Sequence, residues 1–197
     1  MTTLARGSSE ITTAPDGFVF MKVGSHAGET FDEILRRKNT EFTKAGKIFW
    51  GYGGPTLHPI NQVQPFARTR LQGGAEIYVL MQFIDSHAHP DIVPATEYSA
   101  DAVTWQPIPD GIRVTGSRYA LVLDEIRPGD LEIVLEDYQI ALGNSRGKSA
   151  ADYLQGHIDK ACLVRGDKPN PVAVPKPKIR KVEFFARLQE PYAVLLK

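Results

Sequence analysis

The chain has 197 residues, of which 42% are hydrophobic and 23% charged, a composition typical of a globular protein and not of a disordered one. Lys plus Arg and Asp plus Glu both total 23, so the formal net charge is zero, which disfavours duplex nucleic acid as a partner and leaves a local contact open. Because Cys162 is the only cysteine and no apolar leader or membrane-spanning run occurs, we expect a cytoplasmic protein without an intramolecular disulfide or a membrane partner.

The first third of the chain predicts a strand–helix–strand unit. Residues 18–23 read as a strand. Thr30 and Glu33 have the spacing of a capping box, and Gly46 stands where a left-handed C-terminal cap belongs, so we predict a helix between them. Residues 48–52 form the next predicted strand.

The remainder of the chain predicts mostly strands. Because one strand–helix–strand unit is followed by strands in succession, we expect an α+β fold with a largely antiparallel sheet or open barrel. The expected organisation is a flexible N-terminal segment, residues 1–16, and a single α+β domain, residues 17–197. The later elements are predicted as strands over 77–84, 112–114, 119–126 and 131–142, a helix from 149 to about 164, and a hairpin over 182–196.

The strongest functional signal lies between residues 47 and 67, where an apolar strand enters a glycine-rich turn that carries large aromatics. Flat rings offer stacking surface, glycines allow close approach to the backbone, and glutamine amides present a donor and an acceptor together. These features favour a pocket for a small aromatic or nucleotide-like ligand, a nucleobase included. The predicted lining is Trp50, Tyr52, His58, Gln62 and Gln64, with His26 added if the strands that carry Val23 and Trp50 are neighbours.

An alternative interpretation of the same stretch is structural. Trp50 and Phe49 would pack on opposite faces of a strand, and the glycines would only turn the chain.

A mostly antiparallel, barrel-like domain with aromatic residues at its mouth is similar to the PUA-like domains that hold modified bases, and this similarity favours the ligand-binding interpretation.

A second signal is the spacing His-x-His at a predicted strand end, His87 and His89, followed by Asp91. This string resembles the first-strand motif of amidohydrolase and TatD-like metal-dependent hydrolases. The resemblance implies a divalent metal such as zinc that activates water. Under this interpretation the expected ligands are His87, His89 and one of Asp85 or Asp91, and His58 offers a third imidazole. Those families build barrels of about 250 residues, longer than this chain. The alternative is two histidines in a polar turn.

The third signal is the string Gly-Asn-Ser-Arg-Gly-Lys-Ser over residues 143–149. It resembles a Walker A phosphate-binding loop but is one residue short, because Leu142 stands where the first glycine belongs. We therefore predict only an anion site at a helix N-terminus, formed by Arg146, Lys148 and Ser149, against the alternative of a solvated turn with a helix cap.

Three classes of function follow from these signals. The favoured class is a binding domain for a small aromatic or nucleotide-like ligand. The alternatives are a metal-dependent hydrolase and a structural or protein-interaction protein. Whether the protein catalyses a reaction, and its oligomeric state, stay open at this level.

Overall fold

A computed structural model describes residues 11–26, 28–52, 60–88, 93–155, 158–166 and 176–197, with the backbone alone at 86–88. Its helices and strands are, in chain order, β1 (Gly17–His26), α1 (Phe31–Ala45), β2 (Ile48–Gly51), α2 (Ile60–Gln72), β3 (Tyr78–Ala88), β4 (Glu97–Ser99), β5 (Gln106–Pro107), β6 (Tyr119–Leu123), β7 (Arg127–Val134), β8 (Tyr138–Ile140), α3 (Ala150–Tyr153), β9 (Lys160–Arg165) and β10 (Ile179–Leu196).

The strands form one mostly antiparallel sheet in the order β2-β6-β10-β3-β1-β9-β8. Within the described residues, β1 with β3 is the single parallel pair. The 18-residue β10 connects the two halves: its first part pairs with β3 and β7, and from Leu188 onward it pairs with β6 and then β4, with a register shift between Leu188 and Ala193. The sheet stays open, because its end strands β2 and β8 are not paired with each other in the part of the chain described. The predicted α+β fold with a largely antiparallel sheet is confirmed.

Helix α1 begins and ends where its local signals place it. The Glu33 backbone N–H donates to the Thr30 hydroxyl at 3.3 Å, and the Thr30 N–H donates to the Glu33 carboxylate at 2.8 Å, which completes the capping box. Gly46 adopts a left-handed conformation with φ of 68° and donates its N–H to the Phe42 carbonyl at 2.8 Å. The inward face of the helix carries Phe31, Ile34, Lys38 and Glu41.

Helix α2 was not predicted, since no element was assigned between the strands predicted over 48–52 and 77–84. Pro65 lies inside the helix and cannot donate the usual backbone hydrogen bond. Ile60, Val63 and Ala67 nevertheless share one face at helical spacing and are buried against the sheet. Tertiary packing therefore outweighs the local cost of the proline.

Three further predictions for the second half of the chain were wrong. The helix expected from residue 149 to about 164 is a single turn, α3, and Cys162 lies on β9 opposite Val19 of β1. Residues 182–196 form one strand and no hairpin, because each half of β10 pairs with a different neighbour. Residues 112–114 form no strand, whereas the expected strand over 131–142 is divided between β7 and β8.

The core lies on both faces of the sheet. Met21 and Trp50 face the layer that packs under α1 and α2, while Phe20 lies in a cluster on the other face and Phe49 in a third cluster. The predicted placement of Phe49 and Trp50 on opposite faces of one strand is therefore confirmed. None of the helices in the described ranges has the length and apolar character needed to cross a bilayer.

Candidate ligand-binding site

A cavity of about 220 Å³ lies between β1, α1, β2 and the loop before β6. Its floor is apolar, and its rim carries hydroxyl and charged groups. Its lining includes Lys22, His26, Arg37, Lys38, Trp50, Arg113, Thr115, Ser117, Asp159 and Lys160.

Two residues of the predicted pocket, Trp50 and His26, meet at this cavity. Trp50 is 8% exposed, so most of its side chain is buried in the wall of the cavity, and His26 is half-buried. His26 was included on the condition that the strands carrying Val23 and Trp50 are neighbours, and this condition was wrong. In the described part of the chain, β1 pairs with β3 and β9, whereas β2 pairs with β6. The cavity itself spans the gap between the two strands.

The wall of the cavity is rich in cations. Five cationic side chains line it, and Asp159 is the one carboxylate among the described lining residues. Behind the wall, Arg37 donates two hydrogen bonds of 2.8 Å to Glu29 and one of 3.0 Å to Glu41. Among the described residues, counting these carboxylates leaves five cations against three anions, so the described part of the site keeps a positive excess.

Lys38 connects three elements at the base of the cavity. Its ammonium donates to both oxygens of Glu41 at 3.1 and 2.9 Å, to the Phe49 carbonyl at 2.7 Å and to the Arg113 carbonyl at 2.8 Å. Burial lowers the pKa of Lys38 from 10.5 to about 8, with the charge of Glu41 opposing the shift, so the ammonium stays protonated at pH 7. Since its donors are engaged by protein acceptors, Lys38 positions α1 against β2 and is not available to a ligand.

Among the described lining residues, His26 is the one whose side-chain type ordinarily titrates near pH 7. Burial lowers its pKa below the usual 6.5, the carboxylate of Glu29 raises it, and the positive charges of Arg37 and Lys160 lower it further. With its pKa below 6.5, the imidazole is mostly neutral at pH 7.

Tyr52 and Gln64 do not line the cavity, although Nζ of Lys160 in its wall lies 5.8 Å from the centre of the Tyr52 ring. Tyr52 is fully buried, and its hydroxyl has no described hydrogen-bond partner other than the buried thiol of Cys162. The Gln64 amide donates to the carbonyls of Ala100 at 2.9 Å and Ala193 at 2.7 Å, which ties α2 to β10 and to the segment after β4. His58 lies outside the described residues.

Gln62 and the three residues of the predicted anion site do not line the cavity either. Gln62 and Arg146 line a separate groove beside α2. The Ser149 hydroxyl accepts from the Ala151 N–H at 3.2 Å and caps the single turn of α3, and Lys148 is exposed. Arg146 lines this groove and Ser149 does not, so the two side chains do not line a common pocket.

The predicted metal ligands fall largely outside the described residues. The backbone of His87 belongs to β3 and pairs with Ser25 of β1, one residue before His26. The His87 side chain, His89 and Asp91 are not described. Among described residues, no three His, Cys, Asp or Glu side chains cluster as a metal site, and the metal hypothesis stays a prediction.

The cationic lining was missed by sequence reasoning. One signal was present: Lys38 and Glu41 occupy positions on α1 that continue the apolar face of Ile34, which indicates polar groups turned inward. Arg113 and Lys160 carried no local signal, because distant segments bring them to the cavity.

Comparisons with protein-family models, with curated proteins and with solved structures each find no match to this chain.

Proposed function

We propose that the cavity beside Trp50 binds a small planar aromatic or nucleotide-like ligand that carries a negative charge. The observation that supports this proposal is the meeting of Trp50 and His26 with an excess of cationic side chains around one cavity. An aromatic wall and a positive rim are the two features that such a ligand needs.

The size of the cavity limits the ligand to roughly one ring system. Drug-sized ligands occupy pockets of about 300–1,000 Å³, and this cavity has about 220 Å³. A single six-membered ring against Trp50 fits this volume, and stacking of a base on an aromatic side chain contributes about 1–3 kcal/mol.

The polar groups of the wall favour an anionic substituent on that ring. Arg37 is held by Glu29 and Glu41, so its guanidinium is fixed in place before a ligand arrives. Lys160 and the exposed Arg113 add positive charge. The ammonium of Lys160 lies 3.5 Å from a carboxylate oxygen of Asp159. Thr115 and Ser117 contribute hydroxyls that both donate and accept.

Gly51 allows Ser117 to approach the backbone next to Trp50. A Cβ built at this position would lie 2.5 Å from the Ser117 hydroxyl oxygen, closer than real contacts allow. A side chain at residue 51 would therefore displace Ser117 and reduce the space beside the indole ring.

The test uses two probes that share a ring and differ in charge, uracil-6-carboxylate and uracil. In ¹⁵N-labelled protein, each tryptophan gives one indole N–H signal, and a Trp105→Phe variant assigns the signal of Trp50. We expect both probes to shift the Trp50 signal, and the carboxylate to bind at least tenfold more tightly than uracil.

Matched variants separate ring binding from charge recognition. Arg113→Gln and Lys160→Gln should weaken the carboxylate without changing uracil binding, and Gly51→Ala should weaken both probes. Lys148→Gln, at an exposed lysine outside the cavity lining, is the control and should change neither affinity.

Two outcomes overturn the proposal. The first is an unshifted Trp50 signal with millimolar concentrations of both probes and of uridine monophosphate. The second is binding that disappears after treatment with a chelator, together with about one metal ion per chain that a His87→Ala, His89→Ala variant lacks; this result would favour the metal-dependent hydrolase instead.

A further inference from the structure

We propose that a second site, a groove at the start of α1, binds a small quaternary ammonium cation. The groove has a volume of about 570 Å³ and lies between the first turn of α1, β3 and β10. Three phenylalanine rings, two carboxylates and two hydroxyl groups line it among the described residues. Ser25 is the one described residue that it shares with the cavity beside Trp50, and its ligand has the opposite charge, so the two proposals are tested separately.

The apolar part of the groove is formed by Phe31, Phe83 and Phe184. The centroid of the Phe31 ring lies 5.2 Å from that of Phe83 and 5.1 Å from that of Phe184, so the three rings form one aromatic cluster. Phe31 is buried and Phe184 is half-buried, whereas Phe83 is 40% exposed, the one exposed aromatic side chain in the described part of the chain. The cluster therefore offers aromatic surface to a ligand, and the faces of such rings attract cations.

The polar side chains of the groove end in oxygen atoms. They are the carboxylates of Asp32 and Glu183 and the hydroxyls of Ser25 and Thr30. No Lys, Arg or His lies among the described lining residues. Neither carboxylate takes part in an ion pair with another described residue. The described groove therefore carries a negative charge that a cationic ligand can complement.

The backbone of β3 holds Glu183 at the groove. One carboxylate oxygen of Glu183 accepts a hydrogen bond of 2.6 Å from the N–H of Phe83, so the negative charge is fixed beside the exposed ring. A group that is held in place before the ligand arrives loses less entropy on binding. The N-terminus of α1 adds a partial positive charge, which the Glu33 carboxylate offsets by accepting from the N–H and the hydroxyl of Thr30.

Aromatic surface next to negative charge favours a cation that carries methyl groups. A quaternary ammonium has no N–H to leave unsatisfied, so its methyl groups can contact the rings while its charge is attracted by the ring faces and the carboxylates. A primary ammonium is strongly hydrated and loses more on contact with an apolar wall. The volume of about 570 Å³ lies within the range of about 300–1,000 Å³ that is usual for small-molecule sites.

Three probes of related structure test the ligand class: choline, 3,3-dimethylbutan-1-ol and ethanolamine. The alcohol has the shape of choline without its charge, and ethanolamine has the charge without the methyl groups. Aromatic rings should shift the N-methyl proton signal of bound choline upfield, and choline should shift the amide signal of Phe83 in ¹⁵N-labelled protein. We expect choline to bind at least about fivefold more tightly than either of the other probes.

Variants of the exposed ring and of the fixed carboxylate test the assignment. Phe83→Leu keeps an apolar side chain but removes the ring, and should weaken choline binding at least about fivefold and reduce the upfield shift. Glu183→Gln removes the charge but keeps an oxygen that can accept from the Phe83 N–H. It should weaken choline binding and leave the affinity for the alcohol unchanged.

The matched controls are Phe66→Leu, at a half-buried ring, and Glu132→Gln, at an exposed carboxylate, both outside the groove lining. They should bind choline as tightly as the unchanged protein does, and so should Trp50→Phe. If Phe83→Leu fails to fold, Glu183→Gln decides the question. Equal binding of choline and either of the other probes, unchanged choline binding in Glu183→Gln, loss of it in Trp50→Phe, or no N-methyl shift at millimolar choline would overturn the proposal.

Discussion

The ammonium of Lys38 lies 2.9 Å from a carboxylate oxygen of Glu41, three residues further along α1, and both side chains are almost fully withdrawn from water. The same ammonium reaches backbone carbonyls of β2 and of the segment before β6. One buried charge therefore holds three segments of the cavity wall together. Because burial of two charges is costly, such a pair tends to position elements more than it stabilises the fold.

Replacement of Lys38 with Met leaves Glu41 buried without its main counter-charge. Loss of one partner of a buried pair costs about 3–5 kcal/mol, and we expect about 3 kcal/mol here because Arg37 still donates to Glu41. Urea denaturation measures the free energy of unfolding. The control, Arg36→Met, removes an exposed cation from the same helix and should change stability by less than about 0.5 kcal/mol. A loss below about 1 kcal/mol in Lys38→Met would contradict the role assigned to the pair.

The elements predicted correctly are those whose signals are local. Thr30, Glu33 and Gly46 interact within one helix, so their spacing alone indicates where α1 begins and ends. The wrong predictions concern segments whose structure depends on distant partners. Pro65 is tolerated in α2 because its helix packs on β10, and the strand around Cys162 exists because β1 pairs with it.

Lowering the pH should strengthen the binding of uracil-6-carboxylate through His26. Burial places the pKa of His26 below 6.5, and a bound anion favours the protonated imidazole, so affinity rises as the pH falls below 6.5. The carboxylate probe keeps its charge over pH 5–7, and its dissociation constant can be followed by the Trp50 indole signal. His26→Ala should lack this increase. An equal pH dependence in both proteins would assign the effect to another group.

The same shift makes an opposite prediction for stability. Because the pKa of His26 is lower in the folded protein than in the unfolded chain, its contribution is complete above pH 6.5 and is lost as the pH falls through the folded value. Urea denaturation between pH 5 and 7.5 should therefore show a steeper loss in the unchanged protein than in His26→Ala. Parallel curves would indicate that His26 has the same pKa in both states.

Gln64 should matter for stability and not for ligand binding. Its amide donates to two backbone carbonyls, and Gln64→Met leaves them without these donors, at a cost of about 1–3 kcal/mol. Gln62→Met, two residues earlier on α2, removes an acceptor that has no described partner and should leave the free energy of unfolding nearly unchanged. A loss of uracil affinity in Gln64→Met at full folding would place Gln64 back among the ligand-binding residues.

The candidate site shows the same division between local and distant signals. Trp50 was selected because an aromatic next to glycines is visible in the sequence, and it lines the cavity; Gly51 allows Ser117 to approach the backbone where a Cβ would lie only 2.5 Å from the Ser117 hydroxyl oxygen. Gln64 has the residue type of a ligand-binding group, but its partners come from β10 and the segment after β4. Residue type alone does not distinguish these roles, since the partner of a polar side chain is set by the fold.

Removal of the Tyr52 hydroxyl should raise stability or leave it unchanged. This hydroxyl is fully buried, and its described hydrogen-bonding neighbour is the Cys162 thiol, a weak partner, so its desolvation is poorly compensated, and Tyr52→Phe should raise the free energy of unfolding by up to about 1 kcal/mol. Tyr138→Phe is the matched comparison, since the Tyr138 hydroxyl donates to the Pro15 carbonyl at 3.2 Å and accepts from Arg165 at 3.1 Å. It should lower the same quantity by about 1 kcal/mol. Because no part of Tyr52 is exposed, Tyr52→Phe should also bind uracil-6-carboxylate normally. Destabilisation comparable to that of Tyr138→Phe would mean that the hydroxyl makes a full hydrogen bond, with the Cys162 thiol or with a group outside the described segments.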